Sequence, residues 1–123
     1  MLDARRQFGN EGEARAAEFL RSKGYKILAS QWTCPSGEID LIAEQSGEVV
    51  FVEVKTRRDH SYGYPEESVT EKKIGHLVAC AHSYLDRIGR TVPWRIDVIA
   101  IEFEQDKPTV SHFEAIDIPE RFW

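Results

Sequence analysis

Hydrophobic residues recur at helical spacing in two stretches of the chain. In the first, residues 4–23, apolar side chains return every three or four positions, and Gly24 stands where a left-handed cap would end a helix. In the second, Thr70 or Ser68 can serve as the N-cap and Gly89 follows the last apolar position. Its apolar positions are Ile74, Leu77, Val78, Ala81, Leu85 and Ile88. The pattern predicts two amphipathic helices.

Five further segments have the β-branched and aromatic content typical of strands. They are residues 25–30, 37–45, 48–55, 94–103 and 110–118, the last with weaker alternation, as in an edge strand. Ser46-Gly47 forms the turn between the second and third segments, and residues 59–67 are predicted to be a loop. Because the second helix connects strands three and four, these strands should be parallel or near neighbours in a mixed sheet. The predicted fold is α/β, a three-layer sandwich with a mixed central β-sheet flanked by helices.

The length and composition set limits on organisation and location. A chain of 123 residues fits a single domain, residues 1–123. Neither a secretory leader nor an apolar stretch long enough to span a membrane is apparent, so we expect a cytoplasmic protein without a membrane partner. Cys34 and Cys80 are far apart and form no CxxC pair, and we expect both to be reduced thiols.

The distribution of charge along the chain says more about a nucleic-acid partner than the net charge does. The net charge of -5 weighs against a nucleic-acid partner, because phosphate binding usually leaves a basic footprint. However, six acidic residues and only two basic ones lie within residues 102–123, so the remainder is close to neutral. Basic residues cluster there at Arg5-Arg6, at Lys55-Thr56-Arg57-Arg58 and at Lys72-Lys73. A local basic patch is therefore compatible with the sequence.

The hairpin "GEIDLIAEQSGEVVFVEVK" carries charged residues that stability does not require. Strand alternation places Asp40 on one face of strand two, with Glu53 and Lys55 on the matching face of strand three, and makes the opposite, wholly apolar face the core. A two-residue turn sets Asp40 across from Glu53 and Glu38 across from Lys55. Two acidic residues so placed have β-carbons about 5 Å apart, and their carboxylates repel by roughly 3 kcal/mol at an effective dielectric near 20. A divalent cation between them would offset this repulsion.

Two simpler interpretations stand beside this one. The charged face of the hairpin could be a solvated surface with a Glu38–Lys55 ion pair. Glu13 lies at the spacing of the apolar stripe of helix one, where an inward carboxylate needs a partner, but it could also reach water from the flank of the helix.

Four segments carry a family resemblance. In this order and spacing, "GNEGEARAAEFL", "GEIDLIA", "VVFVEVKTR" and "RIDVIAI" resemble the YraN family of small bacterial proteins, a branch of the PD-(D/E)XK, or restriction-endonuclease-like, superfamily. The resemblance runs from Gly9 to Ile101 and includes Arg95 and Asp97. The chain departs from the pattern at "SQWT", where Asn and Arg would be expected.

The resemblance implies a metal-dependent nuclease, related to archaeal Holliday-junction resolvases. By position, Asp40 and Glu53 would bind Mg²⁺ or Mn²⁺ together with the carbonyl of Val54. Lys55 would position or activate water, and Glu13 would be an accessory ligand. The implied reaction is hydrolysis of DNA phosphodiester bonds, in branched or structured DNA.

The remaining candidates concern the nucleic acid itself. Arg57, Arg58 and Lys72 are candidates for phosphate contacts, with solvated surface charges as the alternative. Tyr62 and Tyr64 could stack on bases or simply pack in the loop. A catalytically inactive, nuclease-fold nucleic-acid-binding or adaptor protein is the main alternative function, followed by a structural hairpin in a protein-interaction domain. The sequence leaves the oligomeric state open, with a homodimer as one possibility.

Overall fold

The computed structural model describes residues 4–58, 69–104 and 107–123. Its elements follow the predicted order of one helix, three strands, a second helix and two strands. They are α1 (Ala4–Ser22), β1 (Lys26–Cys34), β2 (Gly37–Gln45), β3 (Glu48–Arg57), α2 (Glu71–Ile88), β4 (Trp94–Glu104) and β5 (Lys107–Phe113), followed by a short 3-10 helix, Glu120–Phe122.

The strands form one mixed sheet in the order β1-β2-β3-β4-β5. Neighbouring strands are antiparallel except for β3 and β4, which the α2 connection makes parallel. Helix α1 packs on one face of the sheet and α2 on the other, each over its own apolar cluster. The predicted three-layer α/β sandwich with a mixed sheet is therefore confirmed.

Local signals in the sequence set the helix ends. The Thr70 hydroxyl accepts a hydrogen bond from the Lys73 backbone N–H at 3.2 Å and caps the start of α2. Gly89, with φ of 64°, adopts the left-handed conformation at the end of this helix. Gly24, with φ of 90°, follows α1 in the same way. Both predicted helix ends are confirmed.

The first and last strands differ from their predicted bounds. β1 continues beyond residue 30 to Cys34, because Trp32, Thr33 and Cys34 pair with the start of β2. β5 begins at Lys107 and ends at Phe113, and the apolar residues Ile116 and Ile118 instead pack in the cluster on the α2 side. The predicted loop, residues 59–67, lies outside the described residues.

The central hairpin has the predicted register but not the predicted single core face. Leu41 pairs with Val52 and Ile42 with Phe51, as a Ser46-Gly47 turn requires. The expectation that only one face is core is wrong, since Ile42 and Phe51 are both fully buried on the α2 side. A sheet with a helix on each face buries both faces of its central strands.

The two cysteines form a disulfide bond. The Cys34 and Cys80 Cα atoms are 5.7 Å apart, and the residues are 46 positions apart in sequence. The expectation of two reduced thiols is therefore wrong. Their separation in sequence gave no sign of the pairing, which arises because α2 packs on the sheet beside the end of β1.

A buried polar network joins β4 to its neighbours. The carboxylate of Asp97, fully buried, accepts hydrogen bonds from Arg95 at 2.9 Å, from the Ala115 backbone N–H at 2.9 Å and from His112 Nε2 at 2.7 Å. The Arg95 guanidinium also donates to Tyr25 and to Glu48. Burial would raise the pKa of Asp97, but the hydrogen bonds from His112, Arg95 and Ala115 outweigh burial and lower it.

No helix in the described part of the chain combines the length and the apolar character that crossing a lipid bilayer requires.

Candidate active site

The candidate site begins where β2 and β3 stop pairing. Their backbone ladder ends at Leu41 and Val52, whereas β3 stays paired with β4 as far as Arg57. Just past the end of the ladder, the backbone N–H of Val54 donates a 2.8 Å hydrogen bond to Oδ2 of Asp40. The side chain of Asp40 thus takes the place of a backbone acceptor and is held against β3.

Glu53 is the buried carboxylate of this site. Its side chain is 4% exposed, and Oε1 lies 3.4 Å from the Lys55 ammonium and 3.3 Å from the Lys73 ammonium of α2. Its other oxygen, Oε2, is buried without a hydrogen-bond partner. A buried carboxylate oxygen usually has a partner, so Oε2 is available to a cation or a water molecule.

Three further carboxylates form a group that we call the acidic cluster: Glu13 of α1 with Glu38 and Asp40 of β2, of which Asp40 is the neighbour of Glu53. One ligand oxygen from each lies within 4.8 Å of the others. Gln31 of β1 orients Glu13, because its side-chain amide donates to Glu13 Oε2 at 2.9 Å and to Asn10 Oδ1 at 3.2 Å.

The electrostatics of the site disfavour negative charge. Burial raises the pKa of Asp40 to about 7; the Val54 N–H acts against burial and the nearby Glu13 adds to it. Burial, followed by the charge of Asp40, also raises the pKa of Glu53, and the Lys73 and Lys55 ammoniums only partly offset this. Carboxylates held this close favour a cation between them.

The donor set suits a hard divalent cation. Mg²⁺ and Mn²⁺ prefer oxygen ligands, and Mg²⁺ is commonly held by one or two carboxylates with water completing its shell. The acidic cluster supplies such oxygens, and the unpartnered Oε2 of Glu53 supplies a further one. The residues present therefore fit the metal that the sequence resemblance implies.

The structure brings together the four residues predicted to be catalytic. Glu13, Asp40, Glu53 and Lys55 converge at one end of the sheet, although they come from three different elements. The interpretation of the hairpin face as a solvated surface is wrong for Glu53, which is 3% exposed. Lys55 contacts Glu53, and Glu38 lies with Glu13 and Asp40. Val54 contributes its N–H to Asp40, and the role of its carbonyl as a metal ligand stays a prediction.

Lys73 and Gln31 are site residues that the sequence interpretation missed, and Glu38, which it placed across from Lys55, was given no role in the site. Helical spacing could have found Lys73, since positions 73, 77 and 81 follow one stripe and Leu77 and Ala81 are buried. The neighbouring Lys72, predicted instead, is exposed. No comparable signal marked Gln31, whose place depends on the register between β1 and β2.

The predicted nucleic-acid contacts lie at the margin of the site. Arg57 is the last residue of β3 and Arg58 follows it, and Arg57 Nε is buried without a hydrogen-bond partner. Their contact with phosphate, and that of Lys72, stays a prediction. Tyr62 and Tyr64 lie outside the described residues.

Comparison with known proteins identifies relatives along most of the chain. Residues 12–101 match the model of a family described as "Uncharacterised protein family UPF0102". A UPF0102 protein of Symbiobacterium thermophilum is 50% identical over 98 residues, which cover 79% of this chain and 83% of that protein. One of Herpetosiphon aurantiacus is 42% identical over 123 residues, covering 96% of this chain and 99% of the relative. One of Roseiflexus castenholzii is 45% identical over 103 residues, covering 82% and 83%.

Proposed function

The chain belongs to the UPF0102 family, the family that the sequence resemblance names YraN, and from this premise we propose that it is a metal-dependent nuclease. Its reaction in this proposal is hydrolysis of phosphodiester bonds in DNA, in the cytoplasm. The placement in the PD-(D/E)XK superfamily is part of the proposal. It is supported by the order α1-β1-β2-β3-α2-β4, with an acid on β2 and the sequence Glu53-Val54-Lys55 on β3.

One observation carries the proposal. A buried glutamate with one unpartnered oxygen and two lysine contacts lies near Asp40, which itself forms the acidic cluster with Glu13 and Glu38. Burial of Glu53 and crowding of acids are both costly for a protein selected for stability alone. The same arrangement is useful for phosphoryl chemistry, which needs cations around a phosphate.

The residues divide into metal ligands and charge partners. Asp40 and Glu53 hold the cation, and Glu13 and Glu38 complete or adjust its shell. When bound, Mg²⁺ or Mn²⁺ polarises a phosphate oxygen and lowers the pKa of water. Lys55, whose side chain is 19% exposed, orients the attacking water and stabilises the charge that develops on the phosphate.

DNA reaches this site past the basic residues at the end of β3. Arg57 and Arg58 follow Lys55 after one intervening residue, Thr56, and Lys72 lies in the first turn of α2. Contacts of arginine and lysine with phosphates would hold the strand in register over Glu53. They would also make binding weaken as salt rises.

The test is cleavage of linear, flapped and four-way DNA with Mn²⁺. The wild type should cleave at least one substrate, and chelation should abolish cleavage. Asp40→Asn, Glu53→Gln and Lys55→Met should each lower the rate by about 100-fold or more with the fold intact by circular dichroism. The matched control is Glu44→Gln, which removes a carboxylate from the same strand β2 outside the cluster. Wild-type protein that binds neither Mn²⁺ nor DNA would overturn the proposal.

The same panel separates the adaptor alternative. An adaptor would bind DNA with unchanged affinity in chelator and would cleave none of the substrates. Substitution of Asp40 would then leave DNA binding intact.

A further inference from the structure

A cleft of about 440 Å³ lies between α1 and β1, directly beside the acidic cluster. We call it the α1–β1 cleft. Glu13 forms part of its wall and belongs to the acidic cluster as well. Its other lining residues are Asn10, Ala14, Ala17, Arg21, Ile27, Ser30, Gln31 and Leu41. Whatever occupies this cleft lies next to the proposed metal.

The lining combines an apolar floor with a polar rim. Ala14, Ala17, Ile27 and Leu41 offer small apolar surfaces, and the amides of Asn10 and Gln31 and the hydroxyl of Ser30 offer both donors and acceptors. A nucleobase has the matching character, with two apolar faces and an edge of donors and acceptors. Side-chain amides are established partners for such edges.

Gln31 joins the cleft to the acidic cluster. The pairs Ser30–Leu41 and Trp32–Ile39 flank it, so its backbone lies across from Asp40. It has φ of 49°, a left-handed conformation that is uncommon for a residue other than glycine. Its amide reaches Glu13 and Asn10 from this position. A molecule that forms hydrogen bonds with Gln31 therefore lies next to the proposed reaction centre.

Arg21 supplies a positive charge at the far end of the cleft. It lies eight residues after Glu13 on α1, about 12 Å along the helix at 1.5 Å per residue. This span leaves room for one nucleotide, with its base over the apolar floor and a phosphate near the guanidinium. A base held in a duplex cannot enter such a cleft, because it would have to leave its stack.

We propose that the α1–β1 cleft binds the base of one unpaired nucleotide next to the phosphodiester bond that is cleaved. This inference rests on the proposed function and refines it. The substrate class is DNA with an unpaired or easily extruded nucleotide at the cleavage position, as in single strands, flaps and junctions.

The experiment uses a substitution at an exposed lining residue, whose larger side chain occupies part of the cleft. Ala14 is an exposed lining residue, so Ala14→Leu narrows the cleft without entering the core. The matched control is Ser22→Leu on the same helix, which faces a separate groove against β5 lined by Phe19, Pro108 and Val110. Binding of a labelled single-stranded octanucleotide and of the corresponding duplex is measured in chelator, and Mn²⁺ affinity is measured separately by calorimetry.

Ala14→Leu should weaken binding of the single strand by about tenfold, because the larger side chain displaces the base from the apolar floor, and Ser22→Leu by less than about twofold. Both variants should keep wild-type Mn²⁺ affinity. As a second test, Arg21→Gln should weaken binding of the single strand and reduce its salt dependence more than Lys107→Gln, which removes an exposed charge on β5. Wild-type affinity in Ala14→Leu, or equal affinity of the wild type for duplex and single strand, overturns the inference.

The outcomes also separate this inference from the proposed function. If the wild type cleaves DNA with Mn²⁺ and Ala14→Leu binds the single strand with wild-type affinity, the proposed base-binding cleft is rejected and the proposed nuclease activity stands. If Ala14→Leu weakens binding of the single strand but the wild type cleaves none of the substrates, base binding in the cleft is supported and the proposed nuclease activity is rejected.

Discussion

Gly12 of α1 lies against Thr56 of β3 so closely that a β-carbon on the glycine would come within 2.2 Å of the threonine hydroxyl oxygen. Two more atoms of the threonine side chain would lie at 3.2 Å. Glu13 follows directly in sequence, and its carboxylate belongs to the acidic cluster. The absence of a side chain at position 12 therefore sets the distance between α1 and the sheet at the point where α1 contributes to the site.

Gly12→Ala should destabilise the protein, although alanine is normally the better residue inside a helix. Displacement of the helix by the new methyl group should cost about 1–3 kcal/mol, the range for overpacked cores, and should weaken Mn²⁺ binding by moving Glu13. Thermal unfolding and calorimetry measure the two effects. Adding Thr56→Ala should restore most of both losses. If the double variant remains as impaired as Gly12→Ala, the close contact is not the cause.

Asp40→Asn should stabilise the metal-free protein. The substitution removes a partly buried charge from beside Glu13 and Glu53, and the asparagine oxygen can still accept the hydrogen bond from Val54. In chelator at mildly alkaline pH, the melting temperature should rise by the equivalent of about 1–2 kcal/mol, whereas added Mn²⁺ should stabilise the wild type more than the variant. Glu44→Gln should show neither effect. A lower melting temperature for Asp40→Asn in chelator would contradict the repulsion inferred here.

Lys73→Met should tighten metal binding. The Lys73 ammonium shares Oε1 of Glu53 with Lys55, so it repels any cation that binds the same carboxylate. Its removal should increase Mn²⁺ affinity by about threefold to tenfold in the absence of DNA, and should lower stability because Glu53 keeps only one ammonium. Lys72→Met, one position earlier and exposed, should change neither quantity. Weaker Mn²⁺ binding by Lys73→Met would show that Lys73 supports the site instead of competing for it.

Acid should weaken the Asp97 network. The pKa of Asp97 in the folded protein lies below its ordinary value of 3.8, so its contribution to stability is full above that value and is lost as the pH falls through the folded pKa. Asp97→Asn, which leaves Arg95 and His112 without their anion, should cost about 3–5 kcal/mol near neutral pH.

The difference in unfolding free energy between wild type and Asp97→Asn should therefore shrink as the pH falls below 4, and urea titrations at several pH values measure it. Tyr25, Glu48 and His112 also face this network. Glu114→Gln serves as the control, because it removes a carboxylate that contacts Tyr25 and His112 from the exposed margin of the same network. A difference that stays constant at acidic pH would contradict the lowered pKa.

The elements of the fold could be predicted because their signals are local. The α2 stripe, the Thr70 cap and the Ser46-Gly47 turn each depend on residues close together in sequence. Burial of both hairpin faces could not be predicted from alternation, because Phe51 and Ile42 share their face with charged residues further along the strands. The helices that cover each face come from outside the hairpin.

The charged residues of the hairpin could be predicted as site residues, whereas the residues that other elements contribute were harder to predict. Asp40, Glu53 and Lys55 lie just past the last paired residues of β2 and β3, so alternation and the register of the hairpin placed them together. The β1–β2 register places Gln31 in the site, and the packing of α2 on the sheet places Lys73 there. Both depend on tertiary structure. The Cys34–Cys80 bond was missed for the same reason.

That bond closes a covalent ring of residues 34–80, which contains β2, β3 and the first part of α2. Asp40, Glu53 and Lys73 all lie on this ring, whereas Gln31 stands three positions outside it. Oxidised protein therefore carries the acids of the two strands and the lysine of α2 on one closed loop of chain. Once the sulfurs are reduced, no covalent bond joins the end of β1 to α2.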